Sequence, residues 1–362
     1  MTQSTLKVGI IGASPGRSWA DLSHVPALKQ LVGLTLAAVA TSSEETARAA
    51  SEAYGIPAYA DTQTLINSDD IDIVTICVRV PKHKDLVLAA LAAGKHIYCE
   101  WPLGVTTAEA EELRQAAEKT SVHAVIGLQG RMSGAVRQAK ALIDAGRLGR
   151  LLTARVFSPS GAFGAETNAS NAHLNDPVSG ATLTTILGGH TMALATSLLG
   201  EAVSVDALAD IQFVEVRLTD KEGTVPRLTP DNLSVLTRHQ SGCVLTAEIA
   251  GYRPDKPFFS LEVVGTDGKL KLTSGSAVGF QADRLTLHTD LPLMELPRPV
   301  PEAVSAALPE MAVNVAEVYA QMAQDIHNGT HLAPSFSDAV RLTRLITAAT
   351  EAAETGMRQE IA

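Results

Sequence analysis

Cysteine is scarce in this sequence: 3 thiols in 362 residues, at Cys77, Cys99 and Cys243, odd in number and widely spaced. Zinc sites need closely paired ligands and secreted scaffolds need more cysteines. Reduced thiols in a cytoplasmic chain without a metal site are therefore expected. Positive charge is also short, with 29 Lys and Arg against 39 Asp and Glu and a net charge of −10. Direct grip on nucleic acid requires clustered lysine and arginine, so none is expected. No apolar run approaches the roughly 20 residues of a membrane helix. The polar start MTQSTLK runs directly into VGIIG, so no signal peptide is expected either. What remains is 46% hydrophobic and 19% charged, the balance of a soluble globular protein too long for one core. Two domains follow.

The apolar runs are placed regularly. KVGIIG, LTLAAVAT, DIDIVTICV, GKHIYCE and HAVIGLQG read as five buried strands, separated by stretches with helical spacing. Leu86, Ala90 and Ala93 recur on one helix face before Gly94. Thr106-x-x-Glu109 is a capping-box pattern opening a helix with Ala110, Leu113 and Ala117 on one side. Strands separated by helices pair in parallel with right-handed crossovers, so residues 1–127 read as a Rossmann-like, doubly wound domain. Residues 128–362 read as a second, α+β domain for substrate binding and oligomerisation. It opens on the amphipathic stretch MSGAVRQAKALIDAGRLG and carries hairpins turning at Ser241-Gly242 and Asp267-Gly268, which predict a mainly antiparallel open sheet. Its terminal helices, closed by Gly329 and Gly356, have the option of packing back on the first domain. The helices suffice for one face of that sheet, so a homodimer or higher homo-oligomer is expected.

The stretch GIIGASPGRSW follows the first strand. A dinucleotide needs glycines here so that the backbone turns sharply and meets the pyrophosphate at a helix amino end. Gly12 holds the first position, Ser14 the second and Arg17 the third, with Gly16 able to take over part of the close approach. The second strand ends in Thr41-Ser42-Ser43 where an acidic residue usually grips the adenosine ribose. Hydroxyls in place of a carboxylate, with Arg17 nearby, point to NADP over NAD; the same hydroxyls also suit the cap of the next helix.

Together VGIIGAS, SHVPAL, IDIVTICV with His83 downstream, AAGKHIYCEWPL, GLQGR, ALIDAGRLG, GGH and VVGTDGKLKL span almost the whole chain. In this set the sequence resembles the Gfo/Idh/MocA oxidoreductases, nearest the branch that contains a fungal galactose-regulon repressor. The resemblance implies cofactor contacts at Val78, Arg79, His83, Glu100, Trp101 and Gln129. The family's Glu-Lys-Pro turn matches Glu100, Trp101 and Pro102, so its lysine is tryptophan here. His190 matches the family's catalytic histidine, Ile186 stands at the aspartate four residues before it, and Ala193 at another aspartate position. Tryptophan donates but accepts no proton, leaving His190 as the expected acid/base. Trp101, Arg131 and His190, with His173 and Asn175 from the polar loop 158–180, are the expected substrate contacts.

Two functions fit. One is an NAD(P)-dependent oxidoreductase acting on a hydroxyl or carbonyl of a sugar, polyol or related small molecule. The other is a non-catalytic NAD(P)-binding sensor or regulator, which would work through a protein partner because the chain lacks a DNA-binding motif.

Overall fold

A computed structural model describes residues 4–16, 18–251 and 258–361. The chain forms two compact units, Met1–Gln129 with Arg298–Val340 and Gly130–Pro297 with Arg341–Ala362. The first cut lies within two residues of the 127/128 boundary read from sequence. The return of residues 298–340 to the first unit needs contacts far apart in the chain.

The first unit holds six parallel strands: β1 (Leu6–Ile11), β2 (Leu34–Ala40), β3 (Ala58–Tyr59), β4 (Ile73–Ile76), β5 (His96–Glu100) and β6 (Ala124–Gly127). Their order is β3-β2-β1-β4-β5-β6, with the reversal between β1 and β4 where doubly wound sheets bind ligands. The two-residue β3 adds one strand to the five read from sequence, too short to leave a periodic signal. Val8, Ile10, Ile73, Ile76 and Ile97 are fully buried, and each contributes about 1.5–3 kcal/mol on leaving water. Helices α1 (Val25–Gln30), α2 (Glu44–Tyr54), α3 (Thr62–Ile66), α4 (His83–Ala92) and α5 (Thr107–Glu118) connect the strands. The Thr106 cap is made: its hydroxyl accepts from Glu109 N at 3.1 Å, while the Glu109 carboxylate accepts from Val105 N at 2.8 Å.

In the second unit α6 (Gly134–Asp144), β7 (Leu151–Pro159), β8 (Glu166–Thr167) and α7 (Gly189–Leu199) precede a run of strands. These are β9 (Ala202–Asp210), β10 (Glu215–Leu218), β11 (Thr224–Pro226), β12 (Asn232–His239), β13 (Val244–Ala250), β14 (Phe259–Gly265), β15 (Lys269–Ser274), β16 (Thr286–His288) and β17 (Gln359–Glu360). Seven of these and β7 form one sheet, β16-β15-β14-β7-β13-β12-β9-β17, antiparallel except for the β7–β13 pair. Residues 151–159 and 244–250 are joined by intervening elements rather than a hairpin, which permits parallel pairing. Alternation along β12 buries Leu233, Val235, Thr237 and His239 and exposes Ser234, Leu236 and Arg238. Both expected hairpins, β12–β13 and β14–β15, are present.

Late in the chain come α8 (Glu302–Ala307), α9 (Glu310–Asn328) and α10 (Phe336–Thr355). Helix α9 is buried along most of its length and packs on α1 and β6 within the first unit. Among the described residues no helix is long and apolar enough to cross a membrane.

Candidate functional site

The turn after β1 begins at Gly12, whose φ of 103° is a left-handed conformation; a Cβ there would lie 2.2 Å from the Cys77 carbonyl oxygen. Only glycine lets β1 turn this tightly over the end of β4. Gly16 also has positive φ, 77°, but a Cβ there would meet nothing within 4 Å, so this corner of the turn is open. Ser18 organises the interior: its hydroxyl accepts from Ser14 N at 3.0 Å and from Asp21 N at 3.1 Å, and donates to Ser14 O. Arg17 lies outside the described residues. Sequence reasoning missed Asp21, whose carboxylate accepts from Gly16 N and from the Tyr54 hydroxyl, both at 2.8 Å. An acid five residues past the glycine, on the first helical turn, was the available signal.

At the end of β2 the hydroxyls divide. Thr41 is buried and donates to Ser43 O at 3.3 Å, while Ser43 and Thr46 form a reciprocal capping box at the start of α2. The Ser43 and Thr46 hydroxyls thus serve the cap of α2, and the Thr41 hydroxyl accepts from that of Thr46 at 2.9 Å. Ser42 remains exposed, with Glu44 and Glu45 beyond it.

Past β4, Val78 is half-buried and Arg79 exposed. His83 is 1% exposed, and its ring nitrogens face two carbonyls, Nδ1 toward Pro102 O at 2.8 Å and Nε2 toward Val78 O at 2.9 Å. Burial holds its pKa below the ordinary value. Both ring nitrogens are turned toward backbone carbonyls of the segments after β4 and β5. Glu100 ends β5 beside the buried Trp101, which joins Pro102 through a cis peptide. Gln129, at 1% exposure, carries a buried Oε1 with no hydrogen-bond partner. The residues thus fit a nicotinamide dinucleotide: an open glycine corner for phosphate, no carboxylate within Thr41-Ser42-Ser43, and a buried acceptor suited to a carboxamide NH₂.

The second unit holds His190 on the first turn of α7. Thr191 beside it donates toward Leu187 O at 2.7 Å and Ser158 Oγ at 2.8 Å, pinning this turn to β7. His190 is 6% exposed and its pKa is pushed down to about 3, with burial the sole cause. Among the described residues neither a hydrogen bond nor a neighbouring charge offsets that burial. Half-buried His173 donates Nδ1–H to Ser170 O at 2.9 Å, leaving Nε2 as its acceptor. Asn175 is buried and donates to Ala172 O at 3.3 Å, so its amide partly serves the local turn. Arg131 is half-buried, and Ile186 likewise. Among the described residues no cluster of His, Cys, Asp or Glu has the makings of a metal site.

Comparison with known proteins agrees with this layout. Residues 6–128 match the model of the oxidoreductase family with an NAD-binding Rossmann fold, and residues 134–274 match the Gal80p C-terminal domain. A dehydrogenase, aclE, of Aspergillus oryzae is 28% identical over 97% of both chains. The galactose/lactose metabolism regulatory protein GAL80 of Saccharomyces cerevisiae is 27% identical over 78% of this chain and 70% of its own. The crystal structure of a super-repressor mutant of that Gal80p has a TM-score of 0.86 at 23% identity, covering 99% of this chain and 98% of the other. Levoglucosan dehydrogenase, solved with NADH and L-sorbose, has a TM-score of 0.84 at 20% identity, covering 99% of this chain and all of the other, 100%. Its two matched stretches make the chain similar to the Gfo/Idh/MocA oxidoreductases over residues 6–128 and to the Gal80p C-terminal domain over residues 134–274.

Proposed function

We propose that this protein is an NAD(P)-dependent oxidoreductase acting on a hydroxyl or carbonyl group of a sugar, polyol or related small molecule. The observation that carries the reading is the state of His190: buried, un-ionised, and with no hydrogen-bond partner among the described residues. A polar side chain at such a position calls for an explanation, and contact with a bound hydroxyl supplies one. A nicotinamide dinucleotide, when bound, supplies or accepts the hydride.

Within that reading His190 takes the hydroxyl proton in oxidation and returns it in reduction. It is neutral throughout the physiological range, the form that accepts. Its low basicity lets the proton go again readily, and Ile186 offers no charge to hold an imidazolium. Trp101 offers a flat apolar wall where the family resemblance has lysine, suited to a sugar ring face. His173, through Nε2, and Arg131 add polar contacts for hydroxyls. Incubating the protein with NAD⁺ or NADP⁺ and a panel of sugars and polyols tests the reading by the appearance of reduced cofactor. Binding of cofactor with no turnover on any of them would sink it.

A second reading is a nucleotide-binding regulator that acts through a protein partner. It is favoured by tryptophan at 101, isoleucine at 186, and the similarity to GAL80 along most of the chain.

A further inference from the structure

Beneath the Glu100-Trp101-Pro102 turn lies a buried hydrogen-bonded chain that the reaction above does not use. His24 ends the π-helical turn Ala20–His24 that follows the glycine turn, and it is 0% exposed. Its Nδ1 meets the Tyr319 hydroxyl at 2.9 Å and its Nε2 meets Glu100 Oε1 at 3.1 Å. The Tyr319 hydroxyl also meets Thr75 Oγ1 at 2.7 Å. The Tyr98 ring packs against both His24 and Tyr319, with centroids at 5.1 and 4.8 Å. Glu100 Oε1 is held so close to β6 that a Cβ on Gly127 would fall 2.6 Å from it.

Donor and acceptor inventory gives the chain a direction. A carboxylate oxygen accepts, so Nε2–H of His24 donates to Glu100. In the tautomer with its proton on Nε2, Nδ1 accepts from the Tyr319 hydroxyl, and Tyr319 accepts from Thr75. The order Thr75 to Tyr319 to His24 to Glu100 uses each hydroxyl proton once, and such chains polarise toward the charge at their end. Thr75 and Tyr319 are both 0% exposed, so the chain ends in the core and offers no route for protons to solvent. It is a brace, not a wire.

We propose that His24 is a positioning residue that couples the glycine turn to the cofactor-facing turn after β5. It does so by fixing the Glu100 carboxylate and thereby holding Trp101. The proposal rests on the reading of the first unit as a dinucleotide site. Its reach is wider than that site: β4 supplies Thr75, β5 Glu100, the glycine-turn helix His24, and α9, more than 200 residues later in the chain, Tyr319.

The chain has 2 tryptophans, Trp19 and Trp101, so Trp19→Phe leaves Trp101 as the sole indole reporter. The buried Trp19 Nε1 has no partner, so phenylalanine there forfeits no hydrogen bond. In that background two substitutions separate the contacts of His24. His24→Gln places an amide N–H near the Nε2 position and keeps the donation to Glu100. His24→Asn reaches only toward Tyr319 and loses it. A hydrogen bond to a charged group is worth a factor of about ten in the equilibrium between a held and a released turn. Acrylamide quenching of Trp101 in the cofactor-free protein should therefore rise at least about two-fold in His24→Asn and stay near the parent in His24→Gln. Titration with NADPH or NADH should show the same split in the amplitude of Trp101 quenching, with the change larger in His24→Asn than in His24→Gln. Equal Trp101 responses in parent, Asn and Gln proteins would overturn the proposal. If the parent binds no dinucleotide, the reading of the site fails while the acrylamide comparison still decides the role of His24. Should His24→Asn not fold, Tyr319→Phe, which removes one hydroxyl of the same chain, takes its place: raised acrylamide access supports the brace, and unchanged access refutes it.

Discussion

Replacing His190 by glutamine should remove a pH dependence of stability that the wild-type protein carries. The ordinary value of the imidazole is 6.5, and burial pushes it down to about 3 in the folded chain. The folded value lies below the unfolded one, so unfolding takes up a proton wherever the pH lies between them. The contribution is fully present above about pH 6.5 and is lost as pH falls toward 3, at about 1.4 kcal/mol per pH unit. Between about pH 7.5 and about pH 5 the loss amounts to ~2 kcal/mol, within a range where most carboxylates stay ionised. His83, His96, His123 and His239 are also held low by burial and steepen the wild-type curve, but they cancel in the difference between wild type and variant. His190→Gln costs stability at every pH, because it puts a buried amide where no partner waits. Its deficit should nevertheless shrink by ~2 kcal/mol from about pH 7.5 to about pH 5. Denaturant unfolding at the two pH values, followed by hydrogen exchange on α7 so that the second unit reports for itself, measures this difference. The imidazole carbon-proton NMR shift of His190 gives its titration directly. A deficit that does not change with pH, or a titration midpoint near 6.5, would refute the burial argument.

Further outcomes follow from the site. Gly12→Ala should lower stability by more than about 3 kcal/mol, since it combines a left-handed backbone with a backbone clash. Gly16→Ala, with open space around it, should cost about 1 kcal/mol; equal melting shifts for the two would count against the account of the turn. If a substrate is found, His190→Ala should lower turnover by about 10²- to 10⁴-fold, and near wild-type turnover would remove the residue from the chemistry. We expect NADPH to bind more tightly than NADH because no carboxylate stands within Thr41-Ser42-Ser43; Ser42→Asp should reverse the order in a calorimetric titration by repelling the 2′-phosphate. The protein should run as a dimer or larger by light scattering: Leu208 and Leu236, 70% and 37% exposed, lie on neighbouring strands of the eight-stranded sheet. Lysine at both positions should shift it toward the 38.0 kDa monomer, and an unchanged mass would exclude this face as the contact.

Local pattern was sufficient for much of the first unit. Apolar runs marked β1, β2, β4, β5 and β6, and the Thr106 cap and the Gly94, Gly329 and Gly356 helix ends were legible because each depends on residues a few positions apart. The hairpins at 241–242 and 267–268 were legible for the same reason. The glycine turn and the missing acid after β2 could also be read from the chain alone, as could the resemblance that singled out His190 and Trp101. What the tertiary structure decided depends on groups distant in sequence. The Pro102 and Val78 carbonyls come to the two nitrogens of the His83 ring only once the chain has folded. The depressed pKa of His190 is a property of desolvation, which no residue type carries by itself. Likewise His24, Glu100 and Tyr319 are unremarkable in sequence, 76 and 295 positions apart from the shared histidine, and become one chain only when α9 folds back under β5. Backbone preference and hydrophobic period are local and survive in the sequence. Burial and hydrogen-bond partnership are collective and arise only once the chain has closed on itself.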